Sequence, residues 1–146
     1  MAGPTVVNVL PVPGASTIAE NTVLLAPKVV GYVTAIDFDG GTNLFTLEGA
    51  DASLFQLTRI GNNNYALELR AGAVFDFETN PQLDVGVRVR DAATPNAAGR
   101  LNAFSMQVTN VNDAPVITSN GGGDSATILL ARGDTAVTTV QASDED

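Results

Sequence analysis

LDVGVRVRD, residues 83–91, decides the fold class. Leu83, Val85, Val87 and Val89 fall on one side of an extended chain and Asp84, Arg88 and Arg90 on the other, because successive side chains of a strand point to opposite faces. One apolar and one charged face is the pattern of an antiparallel strand that covers a core on one side and meets water on the other. YALELR (65–70) behaves alike, with Tyr65, Leu67 and Leu69 alternating with Ala66, Glu68 and Arg70. Outward from these lie TVVNVLPV (5–12), STIAENTVLL (16–25), KVVGYVTAI (28–36), NLFTLEG (43–49), LFQLTR (54–59) and AFSMQVTNV (103–111). DFDGG, IGNNN, FETNPQ and AATPNAAG interrupt them, all rich in turn-forming residues. No stretch sustains a helical period. About seven short strands in roughly 110 residues predict an all-β fold, a seven-stranded Greek-key β-sandwich of immunoglobulin-like type.

Composition removes several functions. The chain has 146 residues, 45% of them hydrophobic, which suits a folded core rather than a disordered tail. It has no cysteine and no histidine, so disulfides, thiolate metal sites, imidazole catalysis and His-ligated zinc are excluded. Any metal must be held by oxygen, which points to a hard cation such as Ca²⁺. The net charge of −9, without a cluster of Lys or Arg, argues against nucleic acid. An acidic surface also serves solubility alone. No apolar run approaches the roughly 20 residues that span a membrane. The opening MAGPTVVNVLPVPG shows neither the basic nor the apolar segment of a signal peptide.

The chain repeats itself. VVGYVTAIDFDG (29–40) corresponds to AVTTVQASDED (136–146), and GPTVV (3–7) to APVIT (114–118), while Glu20 falls opposite Arg132. A period near 110 residues is that of tandem domains. The expected organisation is one whole domain over residues 1–113 and the opening strands of a second over 114–146, too short to bury a core of its own.

Acidic residues gather at strand ends: Glu20; Asp37 and Asp39; Asp76 and Glu78; Asp91; Asp113; Asp144 and Asp146. A spacing of two in an extended chain puts both carboxylates of a pair on one side. Like charges side by side are destabilising unless something neutralises them. Taken singly, each group reads as a solvated strand end; taken together they read as a calcium site.

In this order and spacing, VTAIDFDG, FDFET, VRD, NVNDAP and QASDED resemble the calcium motifs of cadherin repeats. LEGADASLFQL and YALELRAGAVFDFETNPQLDVGVRVRD resemble the bacterial, dystroglycan-like branch of cadherin-like domains. The resemblance implies a sandwich in a tandem array with Ca²⁺ between consecutive domains. It implies ligands at Glu20, Asp76 and Glu78 at the base of the first domain. Asn110, Val111, Asn112 and Asp113 in the linker follow, the middle two through their carbonyls, with Asp144 and Asp146 from the second unit. Asp37, Asp39 and Asp91 look like the matching set that faces a preceding domain. The linker departs from the pattern: Asn110 stands where an aspartate is usual, and the linker is short, so fewer ions and weaker binding are expected. No N-terminal Trp of the kind exchanged in animal cadherin adhesion is present, so that route of cell–cell adhesion is not implied.

Other readings weigh less. DFDGGTNLFTLE (37–48) has the acidic positions of an EF-hand loop, but Thr42 stands where that loop needs Gly and no helices flank it. The Arg132-Gly133-Asp134 triplet coincides with the repeat's Glu20 position and reads as chance. GNNNY (61–65) reads as a hairpin turn, with saccharide contact as its alternative. A two-carboxylate glycosidase would need aromatic platforms that this chain lacks. The expectation is a non-catalytic, extracellular or cell-surface module, an adhesion or spacer element that binds calcium. Its expected partners are neighbouring cadherin-like repeats and another protein or an extracellular polysaccharide. Calcium-dependent carbohydrate binding is the alternative.

Overall fold

The computed structural model describes residues 3, 4, 6–38 and 40–146. They fall into two compact units, Met1–Asn110 and Val111–Asp146.

The first unit is a sandwich of two four-stranded sheets. Its strands are β1 (Val6–Pro11), β2 (Thr17–Ala19), β3 (Lys28–Ile36), β4 (Asn43–Glu48), β5 (Phe55–Gly61), β6 (Asn64–Leu69), β7 (Gln82–Asp91) and β8 (Arg100–Thr109). One sheet runs β1-β3-β6-β5 and the other β2-β8-β7-β4. The return of β6 to the side of β3, after the excursion through β4 and β5, makes the Greek-key connection.

Two departures from the sequence reading have local causes. The first unit has eight strands where seven were expected, because the first two runs join different sheets: β1 pairs antiparallel with β3, and β2 pairs parallel with β8. Pro13 and Gly14 lie between them, and proline has no N–H with which to continue a ladder. The run STIAENTVLL is strand only over Thr17–Ala19. There the Thr22 N–H turns back onto the Ala19 carbonyl at 3.0 Å, and Val23, Leu24 and Leu25 beyond it pair with no strand among the described residues. The EF-hand alternative is closed by β4 itself, since Asn43–Glu48 is a strand. The hairpin at GNNNY forms as read, with Asn63 at φ 54.

The alternation along β7 becomes burial: Leu83, Val85, Val87 and Val89 all lie in the core, and Asp84 and Arg88 face outward. Val33, Phe55, Leu67, Leu69, Phe104 and Met106 complete that core from both sheets. Phe55 and Phe104 meet edge to face with centroids 6.2 Å apart, and Phe45 stacks obliquely on Tyr65 at 4.3 Å. Asp51, 9% exposed, accepts the Asp84 N–H and the Asn80 side-chain amide, each at 2.7 Å, and so fixes where β7 begins. On the outer face the Arg88 guanidinium grips Glu48 through two bonds of 2.6 and 2.7 Å.

The second unit carries one antiparallel pair, β9 (Val116–Ile117) with β10 (Ala142–Ser143). None of its residues is buried; Leu129 is 94% exposed.

Two outcomes follow from this packing. Leu67→Ala, at a fully buried position, should cost about 2–5 kcal/mol in urea denaturation. The Glu48 carboxyl is held below the ordinary glutamate range, chiefly by its bond to Arg88. Its contribution to stability is therefore present above the unfolded pKa of about 4.3 and lost as pH falls through the lower folded value. The urea midpoint of Glu48→Gln should lie below that of the parent at pH 7 and converge with it by about pH 3.

Candidate metal centre

Strand register places oxygen donors at both ends of the first unit. At the end where β3 and β7 finish, Asp91 is the register partner of Asn43, the first residue of β4. Asp37 follows β3 directly. A Cβ at Gly41 would lie in ordinary contact with the Asp37 carboxylate at 3.5 Å and with that of Asp91 at 3.6 Å, so both carboxylates border one point. The Ala93 N–H holds the Asp91 carboxylate at 2.8 Å, and the Ala92 N–H bonds the Thr42 carbonyl, which ties the two loops together. Asp39 lies outside the described residues.

Asn43 was missed by the sequence reading. Its side chain is 6% exposed, and neither its amide oxygen nor its nitrogen has a hydrogen-bond partner among the described residues. A buried amide in that state is costly. The signal was available: on the alternation of NLFTLE, Asn43 shares the inward face with Phe45 and Leu47, where an amide has no reason to be unless something is bound. Two carboxylates and an amide oxygen form a set of hard donors, and the residues at this end therefore fit a Ca²⁺-like cation.

At the opposite end β2 leads into Glu20 and β8 into Asn110. Glu20 accepts the Phe77 N–H at 2.8 Å, drawing in the loop that carries Glu78. The two glutamates then present carboxylate oxygens within 4.8 Å of each other. Glu78 also accepts the Asn110 side-chain amide at 3.0 Å. Asp76 acts locally, accepting the Thr79 N–H at 3.0 Å and capping the turn that delivers Glu78. Bonding from the Thr79 hydroxyl and N–H holds its carboxyl below the usual range, so it stays ionised near neutrality.

In the second unit the Asp113 N–H donates to the Asp146 carboxylate, and the Asp146 N–H to Asp144 at 3.3 Å. Asn112 bonds the Asp113 carbonyl through its side-chain nitrogen, while Val111 opens the unit. The linker aspartate and the C-terminal pair, 31 to 33 positions apart in the sequence, are thus brought together.

No family model matches the chain. It is 32% identical over 97 residues to protocadherin gamma-C3 of Homo sapiens and of Pan troglodytes, which covers 66% of this chain. The chain spans about a tenth of the length of these curated relatives, 10% of each. Among solved structures it is similar to extracellular cadherin domains 1–5 of protocadherin gamma B2, with a TM-score of 0.64 and 22% identity over 97% of this chain and 26% of that one. It is also similar to the EC3–6 cis-dimer structure of protocadherin gammaB7, with a TM-score of 0.62 and 23% identity over 96% and 32% of the two chains. The fold is cadherin-like.

The orphaned amide gives a direct test. Asn43→Leu, close in volume, should raise stability in urea by about 1–3 kcal/mol when measured with EDTA present. A loss of stability there would mean that the Asn43 amide is satisfied in the folded protein.

Proposed function

We propose that this cadherin-like chain is a calcium-binding extracellular module of a tandem array, an adhesion or spacer element and not an enzyme. Bound Ca²⁺ would supply positive charge and oxygen coordination at the ends of the domain, stiffening the passage from one repeat to the next. The observation that carries the reading is the pairing of Glu20 with Glu78 where the chain leaves the first unit. Two carboxylates that close repel unless a cation is shared between them.

The residues divide the work in this reading. Glu20 and Glu78 bind, and Asp76 holds the turn beneath Glu78. Asn110 is hydrogen-bonded to Glu78, and Asp113 is three residues further on, within about 10 Å of extended chain. The cadherin resemblance adds Asn110 through Asp113 as linker ligands, the carbonyls of Val111 and Asn112 included, and Asp144 and Asp146 as the closing pair. Asp37, Asp39, Asn43 and Asp91 serve the junction with a preceding repeat. Pro115 restricts the chain after the linker, since its φ is fixed. The resemblance to the dystroglycan-like branch makes the parent a bacterial surface or biofilm protein.

A second reading, calcium-dependent saccharide binding, draws on Tyr32. It is 47% exposed on the outer face of the β1-β3-β6-β5 sheet, beside Leu10 and in the row of Thr58. A glycan array with and without calcium separates the two.

Calorimetric titration with CaCl₂ tests the main reading. The parent should bind with a dissociation constant on the order of 10⁻⁴ to 10⁻³ M, as extracellular modules do. At ten times that constant, binding should stabilise the protein by about 1.4 kcal/mol. Asp113→Ala and Glu78→Gln should each lose most of the heat and most of the rise in melting temperature. No heat and no shift at 10 mM CaCl₂, on the order of ten times the weaker constant, would leave the carboxylates as solvated strand ends.

A further inference from the structure

The outer face of the β4-β7-β8 sheet carries a feature with no part in the metal chemistry. Gly86 in mid-β7 lies opposite Ala103 of β8 and Glu48 of β4. Three adjoining outward positions thus include two with almost no side chain. The result is a cavity of about 280 Å³ floored by Gly86 and Ala103. Leu101 forms one wall, Asp84 the other, and Glu48 closes the β4 side. A Cβ at Gly86 would sit 2.8 Å from Leu101 Cδ1 and 3.3 Å from Glu48 Cγ, so Leu101 and Glu48 close in on Gly86 from two sides and the position tolerates no side chain without their moving. Glycine in a strand interior weakens the strand and marks close approach of another group.

The polar groups around the cavity are held in place. Glu48 is gripped through both oxygens by Arg88. Asp84 accepts from the Ser105 hydroxyl and from Gln82 at 2.9 Å, and its own N–H is anchored on Asp51. Hydrogen bonds from Ser105 and Gln82 keep the Asp84 carboxyl ionised below its usual range. Glu48 is neutralised by its arginine, whereas the donors to the Asp84 carboxylate among the described residues, Ser105 and Gln82, are neutral. The cavity therefore has an apolar floor, a leucine wall and one uncompensated negative charge at its mouth.

We infer that this cavity receives the side chain of a lysine from a partner polypeptide, its methylenes lying along Gly86, Ala103 and Leu101 and its ammonium on Asp84. Lysine fits because its charge is compact and its stem apolar. Arginine fits less well, because a guanidinium seeks two coplanar oxygens and the Glu48 pair is already taken by Arg88. The partner is a basic polypeptide: the net charge of −9 opposes pairing of two copies while drawing a basic partner.

The test is a two-dimensional ¹H–¹⁵N NMR titration of the full chain with Nα-acetyl-lysine methylamide, beside the norleucine analogue that lacks the ammonium. The lysine probe should shift the amides of Asp84, Gly86, Leu101 and Ala103 and saturate in the millimolar range. The norleucine probe, and the lysine probe on Asp84→Asn, should each bind about two- to fivefold more weakly, as loss of an exposed ion pair does. Gly86→Ala should block binding while the remaining spectrum stays that of the parent. Lysine and norleucine binding equally, or insensitivity to Asp84→Asn, would overturn the inference. So would shifts of the same amides with protein concentration alone that vanish in Lys28→Gln, since the occupant would then be a second copy.

Discussion

The two-sided register of β7 is the constraint on which the rest of the first unit depends. Its inward residues Leu83, Val85, Val87 and Val89 are all essentially excluded from water. A slip of one position would put Asp84, Arg88 and Arg90 into the core, so the hydrophobic term forbids it. With the register held, Asp91 must fall beside Asn43, Arg88 must reach Glu48, and Gly86 must lie between Glu48 and Ala103. The donor set at one end and the cavity on the outer face are both consequences of a packing decision made inside.

Charge is distributed by the same logic. A sandwich leaves its interior no room for unpaired carboxylates, and Asp51, nearly buried beside the start of β7, is satisfied by the Asp84 N–H and Asn80. The candidate ligands collect where strands end, because there the chain turns and leaves backbone N–H groups free to support them. Phe77 does this for Glu20, Thr79 for Asp76 and Ala93 for Asp91. Each end thereby concentrates negative charge on rigid supports, which is costly without a cation and well prepared for one.

Much of this was legible in the chain. The alternation in LDVGVRVRD and YALELR specified strands with one dry face, and the turn residues between runs specified their number to within one, seven expected against eight in the first unit. The acidic pairs stood out because the spacing of two recurred. What stayed hidden has identifiable causes. STIAENTVLL has the composition of a long strand, but a strand needs a neighbour, and Thr22 turns back before one is available. Asn43 read only as the first residue of a strand run until β4 placed it beside Asp91. Asp76 and Glu78 looked equivalent, yet one caps a turn and the other pairs with Glu20.

By itself the sequence determined the class of fold, the inward face of most strands and the residue types able to hold a hard cation. These are local properties, set by a period of two and by the chemistry of single side chains. The tertiary structure decided which sheet each of the first two runs joins, which glutamates meet and which amide is stranded in the core. It also decided that Gly86, Ala103, Glu48 and Asp84 surround one space. Those outcomes depend on pairing between segments tens of residues apart, and register, which no segment contains alone, is what brings them together.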